Sequence, residues 1–266
     1  MMITLCKACG TSYDVAAGHP ENCPICEDER QYVPVSGQAW IEPSALHARH
    51  ANKWRQLAPG LLSVESVPGF AIGQRAIVVQ SEEGNILWDC IPNLDDATKA
   101  IITALGGLKA IAISHPHYYS TMQDWAAEFN APVYLHAADR KWIQRDSPHI
   151  HLWDGESLPI NSRVELLRLG GHFAGGSVLL HKENQGVLLT GDIIQVAPGA
   201  GSVSFMWSYP NMLPLSATTV ADIAQRLKDV RYSALYGAFE GKDIPDNAAD
   251  IVQQSARKYI ECIERR

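Results

Sequence analysis

The sequence predicts a layered α/β protein preceded by a small cysteine-bearing module. Three observations carry that expectation. From residue 38 onward, short apolar runs alternate with amphipathic stretches, the pattern of strands laid against helices. Four of the six cysteines gather near the start as two C-x-x-C pairs, Cys6/Cys9 and Cys23/Cys26. Of the 266 residues, 46% are hydrophobic and 19% charged, enough apolar side chain for a sizeable core. The formal charge of −7 gives no general attraction to phosphate backbones, so a nucleic-acid partner is not expected. No apolar run reaches the roughly 18 to 20 residues of a membrane span, and the start, Met1 to Lys7, lacks the apolar stretch of a secretory signal. A cytoplasmic protein without a membrane partner is the expectation.

The elements follow in order. Each cysteine pair closes a tight turn that aims two thiolates at one point, and two such turns complete a tetrahedron. Residues 1–37 are therefore expected to form a four-cysteine module whose metal is structural, because four protein ligands leave no vertex for a substrate. Redox disulfides are the competing reading, opposed by the doubled motif. The segment resembles zinc ribbons and also the rubredoxin-like modules that carry iron. Zinc is expected, with iron as the alternative, since tetrathiolate geometry does not separate the two.

In residues 38–266, Pro43 to Leu57 has a helical composition closed by Pro59-Gly60. Arg75 to Gln80 and Ile86 to Asp89 read as strands joined by a polar turn, and Asp95-Asp96 caps a helix ending near Gly106-Gly107. Leu108 to Ile113 is a buried strand that delivers Ser114-His115-Pro116-His117 at its exit. Ser120 and Thr121 offer caps for a helix through Asn130, Val133 to Leu135 is a strand, and Ala137 to Arg145 a helix. Arg163 to Leu169, Ser177 to His181, Gly186 to Thr190 and Ala234 to Tyr236 complete the strands. A helix carries Val220, Ile223 and Leu227, and another runs from Ile244 to Tyr259.

His115 and His117 sit two apart, where extended backbone turns both imidazoles to one side. Among ten histidines such a spacing is weak by itself. Gly170-Gly171-His172-Phe173-Ala174-Gly175-Gly176 and Thr190-Gly191-Asp192 each add a ligand after another strand, flanked by glycines that free the backbone to turn. Three imidazoles and one carboxylate can hold a metal and still leave water a place.

From about Leu61 to the C-terminus these motifs resemble the metallo-β-lactamase superfamily. Trp88-Asp89 matches its early strand with a structural aspartate, His115-Pro116-His117 the start of its H-x-H-x-D-H motif, Gly171-His172 with Gly175 its G-H-x-x-G, and Gly191-Asp192 its bridging aspartate. The resemblance implies a four-layered αβ/βα sandwich with a metal site along one sheet edge. Tyr119, Ser120 and Ala238 stand where the family places ligands of a second metal, so it implies a mononuclear site of His115, His117, His172 and Asp192 that holds the second zinc of the chain, with iron or manganese as alternatives for a mixed nitrogen and oxygen donor set. The reaction expected is hydrolysis of a small ester, thioester or lactone by metal-activated water. Asp192, where it is not fully committed as a metal ligand, is expected to orient or deprotonate that water, and Tyr118 or Tyr119 to donate to the developing oxyanion. Both tyrosines sit beside His117; Tyr119 has packing as its plainer role. Trp207, Tyr209 and Asn211 combine aromatic surface with amide and hydroxyl groups, either as a substrate-pocket wall or as a loop packed over the core. Two other functions stay open: a non-catalytic metal-binding protein whose cysteine module is a handle for a protein partner, and an iron-carrying redox protein.

Overall fold

Strand Met2–Cys6 pairs antiparallel with Ser12–Val15 on one side and with Trp40–Ile41 on the other, so the first cysteine pair hangs from the end of a three-stranded sheet. The computed structural model describes residues 2–15 and 19–265. The chain divides into two compact units, one formed by the chain up to Leu135 with Arg140–Leu152, the other by His136–Asp139 with the chain from Trp153.

The first unit contains this small sheet and a seven-stranded one. In space the larger sheet runs Ile150–Trp153, Val133–His136, Ala110–Ala112, Ile86–Trp88, Arg75–Val79, Leu61–Val67, Ala51–Ala58. The strands from Ala51 to Trp88 pair antiparallel, whereas Ile86–Trp88, Ala110–Ala112 and Val133–His136 are parallel neighbours. Arg75–Val79 is buried throughout, as expected of a central strand covered on both faces. The Ser81–Asn85 turn forms as expected, with Gly84 N–H donating to the Ser81 carbonyl. Asp95 caps the helix Asp96–Ala104 through a bond from Thr98 N–H.

Two expectations fail in this unit. Pro43 begins a helix that stops at His47, and Ala51–Ala58 is a strand. Its Ala, Lys, Gln and Leu favour helix, but Pro59-Gly60 turns the chain back, with Gly60 at φ +76, and the ladder to Leu61–Val67 places Lys53 opposite Glu65. Pairing across the sheet overrides a weak local propensity. Neither Ser120 nor Thr121 caps Met122–Phe129 through its side chain; the Thr121 hydroxyl donates instead to the Ile91 and Pro92 carbonyls.

The second unit is built on a six-stranded sheet in the order Ser157–Pro159, Val164–Arg168, Ser177–His181, Val187–Leu189, Ala234–Tyr236, Asp243–Ile244. Neighbours are antiparallel except Val187–Leu189 with Ala234–Tyr236. This alternation sends the C-terminal ends of Val164–Arg168, Val187–Leu189 and Ala234–Tyr236 to one edge. Helices Ala217–Leu227 and Ala248–Glu264 present Val220, Ile223, Leu227, Val252 and Ala256 to a core shared with Val178, Leu188, Phe205 and Leu235. Ile244 lies in a strand, so the last helix starts at Ala248. The helix expected over Ala137 to Arg145 is a short 3-10 segment, Ala137–Trp142. Asp139 near its start is drawn off to accept a bond from Gly175 N–H at 3.0 Å. Among the described residues, no helix is long and apolar enough to cross a membrane.

Candidate metal centres

Cys6, Cys9, Cys23 and Cys26 are buried, and their four sulfurs lie within 4.8 Å of one another. The knuckle that carries the first pair is set by Cys6 N–H donating to Thr11 O at 3.0 Å and Gly10 N–H donating to Cys6 O at 2.8 Å. Gly10 adopts φ +81, and a β-carbon there would stand 2.3 Å from Pro92 Cγ, so both conformation and contact require glycine. The second pair opens a one-turn helix, Pro24–Glu27. Four convergent sulfurs are the donor set of a closed tetrahedral site for a thiophilic metal.

Side chains that sequence reasoning missed surround these sulfurs. Tyr13 Oη lies 3.0 Å from Cys23 Sγ and Thr11 Oγ1 3.2 Å from Cys9 Sγ. Burial, reinforced by the Cys23 sulfur, pushes the Tyr13 phenol above its ordinary value, so it stays a donor. Sulfur hydrogen bonds from Cys26, Cys6 and Cys9 hold the Cys23 thiol below its ordinary value, whereas burial pushes Cys9 up. The signal available beforehand was spacing alone: Thr11 and Tyr13 stand two and four positions past Cys9.

In the first unit the parallel strands Ile86–Trp88 and Ala110–Ala112 end side by side, the usual place for a site in an α/β sheet. Asp89, at φ +60, accepts Ser114 N–H at 2.7 Å, and Ser114 Oγ meets His115 Nδ1 at 2.8 Å. The structural aspartate therefore orients the first imidazole through Ser114. Pro116–Tyr118 forms a single 3-10 turn, which sets the rings of His115 and His117 5.0 Å apart at 74°. Tyr118 packs its ring 4.4 Å from that of His115, and both Tyr118 and Tyr119 are buried.

In the second unit His172 occupies the turn after Val164–Arg168, and Asp192 follows Val187–Leu189, both at the shared sheet edge. His172 Nδ1 donates to the Met206 carbonyl at 3.2 Å, which fixes the proton there and makes Nε2 the lone-pair nitrogen. Tyr209 brings its ring 6.0 Å from His172 and donates from Oη to Ser204 O at 3.0 Å. Burial, with the Asp192 carboxylate second, pushes its phenol above the ordinary value. Trp207 packs on the core from strand Met206–Ser208. Asn211 is exposed and bonds to Ser208 Oγ. Ala238, where the family pattern has a ligand, is a buried apolar residue after Ala234–Tyr236.

One ligand atom from each of His115, His117, His172 and Asp192 falls within 4.8 Å of the others. Three imidazole nitrogens and a carboxylate oxygen suit a first-row divalent metal.

Comparison with known proteins identifies the family and the fold. A sequence model described as the metallo-beta-lactamase superfamily matches residues 71–264. The chain is 45% identical over 264 residues to "Uncharacterized protein YmaE" of Bacillus subtilis (strain 168), covering 97% of this chain and 96% of that protein. Among solved structures, TMB-1 superposes with a TM-score of 0.61 at 13% identity, covering 78% of this chain and 98% of that one. DIM-1 metallo-beta-lactamase gives 0.59 at 13%, covering 79% and 99%. The FIM-1 metallo-beta-lactamase of Pseudomonas aeruginosa, solved in its mono-zinc form, gives 0.56 at 18%, covering 79% and 96%. With the family pattern matched over most of its length and the mixed α/β sandwich fold to go with it, the chain belongs to the metallo-β-lactamase superfamily.

Proposed function

We propose that the chain is a metal-dependent hydrolase with one zinc at His115, His117, His172 and Asp192, acting on a small ester, thioester or lactone. The observation that carries this reading is the donor set: three imidazoles and a carboxylate with ligand atoms within 4.8 Å, in a chain of this superfamily. Four ligands of this kind leave room for one more on a metal that expands to five-coordinate, whereas the four thiolates form a closed site. Tyr119, Ser120 and Ala238 in place of further ligands favour one ion.

When bound, such a metal supplies a water nucleophile near neutral pH and polarises the scissile carbonyl. With the carboxylate oxygen that it does not commit to the metal, Asp192 would orient that water or take its proton. Tyr118 or Tyr119 donates from its hydroxyl to the oxyanion that develops on the substrate. Asp89 and Ser114 hold the His115 ring, and the Met206 carbonyl holds that of His172. Trp207, Tyr209 and Asn211 are the proposed substrate contacts. Residues 1–37 form the structural zinc module, with Trp40–Ile41 closing its sheet, and 38–266 the hydrolase domain.

Zinc-reconstituted protein assayed on ester, thioester and lactone panels tests the reading. Turnover that is lost on His117→Ala while the cysteine-bound zinc is retained supports it. A fully loaded His/Asp site without turnover on any substrate contradicts it.

A further inference from the structure

The cysteine knuckle reaches the turn that carries His115 and His117 through Ser12. Ser12 follows Thr11, whose carbonyl accepts from Cys6 N–H and whose hydroxyl lies against Cys9 Sγ. Both donors of Ser12 converge on one acceptor: N–H and Oγ–H reach the Ser120 carbonyl at 3.0 and 2.8 Å. Both residues are 1% exposed, so no water replaces these bonds. Ser120 ends the ligand turn. Tyr118 N–H donates to His115 O, Tyr119 N–H to Pro116 O, and Met122 N–H to Tyr119 O, so residues 115–122 form one continuous wound segment.

Ser120 stands in this segment at φ +32, a conformation that residues other than Gly, Asn and Asp seldom adopt. A strained non-glycine residue persists only where its surroundings hold it. Two buried hydrogen bonds on its carbonyl are such a hold. A second contact lies close by. Gly10 abuts Pro92, whose carbonyl, with that of Ile91, accepts the Thr121 hydroxyl. The knuckle is thus tied to the residue after Ser120 as well.

We propose that the four-cysteine module is a clamp on the His115/His117 turn, with Ser12 as its positioning residue, so that metal at the cysteines sets metal affinity at the His/Asp site. The proposal rests on the His/Asp metal site proposed above but not on hydrolysis. With the cysteines loaded, the Cys6–Thr11 knuckle is rigid and Ser12 holds Ser120. With them empty, four facing buried thiols no longer fix the knuckle, and the strained Ser120 is released.

The test uses the full chain and two readouts that need no turnover: hydrogen exchange over residues 114–121, and affinity for the second zinc measured by chelator competition. Cobalt substitution reports the tetrathiolate site separately through its thiolate charge-transfer absorption. Ser12→Ala is expected to leave that absorption intact, speed exchange over 114–121, and weaken the second zinc about five- to tenfold, the scale of one lost buried hydrogen bond. Ser12→Thr, which keeps the hydroxyl, is expected to restore both. Stripping the cysteine-bound metal from the parent protein is expected to speed the same exchange, a result independent of whether Ser12→Ala folds. Unchanged exchange in the stripped parent, or an unchanged second affinity in a folded Ser12→Ala, overturns the clamp. Coupling without hydrolysis would keep the clamp and remove the hydrolase; hydrolysis without coupling would do the reverse.

Discussion

Replacing Gly176 by alanine should open the turn that carries His172. The Gly176 carbonyl accepts from Leu169 N–H at 2.8 Å and Gly170 N–H at 2.9 Å, and its own N–H donates to Phe173 O at 3.0 Å. A β-carbon there would lie 2.7 Å from Ile193 Cδ1, 2.8 Å from Gly170 O and 3.0 Å from Phe173 O. Ile193 can rotate away, but the other two atoms are backbone of the same turn. Relief therefore requires the turn to widen and give up one of its bonds. Overpacking costs about 1–3 kcal/mol and a lost buried hydrogen bond about 1 kcal/mol, so a loss of roughly 2–4 kcal/mol is expected. Gly201→Ala is the control, because nothing lies within 4 Å of its added carbon and its φ is not positive. It should change stability by less than about 0.5 kcal/mol. The assay is urea denaturation of the metal-free chains by tryptophan fluorescence, with chelator competition for zinc on the folded ones. A Gly176→Ala chain that unfolds with Gly201→Ala and keeps its zinc affinity would refute the reasoning.

Three further outcomes are expected. His117→Ala should lower the zinc content from two ions per chain to one, read by elemental analysis, because it removes a ligand of the His/Asp site and none of the sulfurs. Tyr13→Phe keeps the ring but removes the hydroxyl beside Cys23 Sγ, and should weaken the cysteine-bound metal about tenfold in a chelator titration, with overall stability little changed. Burial holds the His181 imidazole below its ordinary pKa, so the folded chain resists a proton that the unfolded chain accepts. Stability should therefore be level above about pH 6.5 and fall as pH drops below it, by at most about 1.4 kcal/mol per unit for this group. His181→Gln should flatten that limb in urea midpoints measured from about pH 5 to about pH 8; an unchanged slope would assign the acid loss elsewhere.

Cys6, Cys9, Cys23 and Cys26 are legible in the sequence because the sulfur donors come from two short turns, so spacing alone implies proximity. His115 and His117 are legible for the same reason; His172 and Asp192 join them through their glycine-flanked places after strands and through the family motif, since nothing local links residue 117 to 172. Most strands show where burial on both faces leaves a plain apolar run, as in Arg75–Val79 and Ser177–His181. Ala51–Ala58 misleads because its side chains favour helix and only the partner strand decides. Ser12, Thr11 and Tyr13 are invisible as supports: their roles are hydrogen bonds to atoms fixed by the fold, and small polar residues carry no periodic signal. The near-complete burial of Tyr118 and Tyr119 has no sequence signal either, because it depends on what the fold packs over the ligand turn.

The central claim is one cation shared by His115, His117, His172 and Asp192, and anomalous diffraction at the zinc edge from crystals of the zinc-loaded chain tests it most directly. The account predicts two peaks, one among the four sulfurs and one at about 2.0–2.2 Å from the three imidazole nitrogens and the carboxylate, with a water on an open vertex. A single peak confined to the cysteines, or a second ion enclosed by protein on every side, would contradict it.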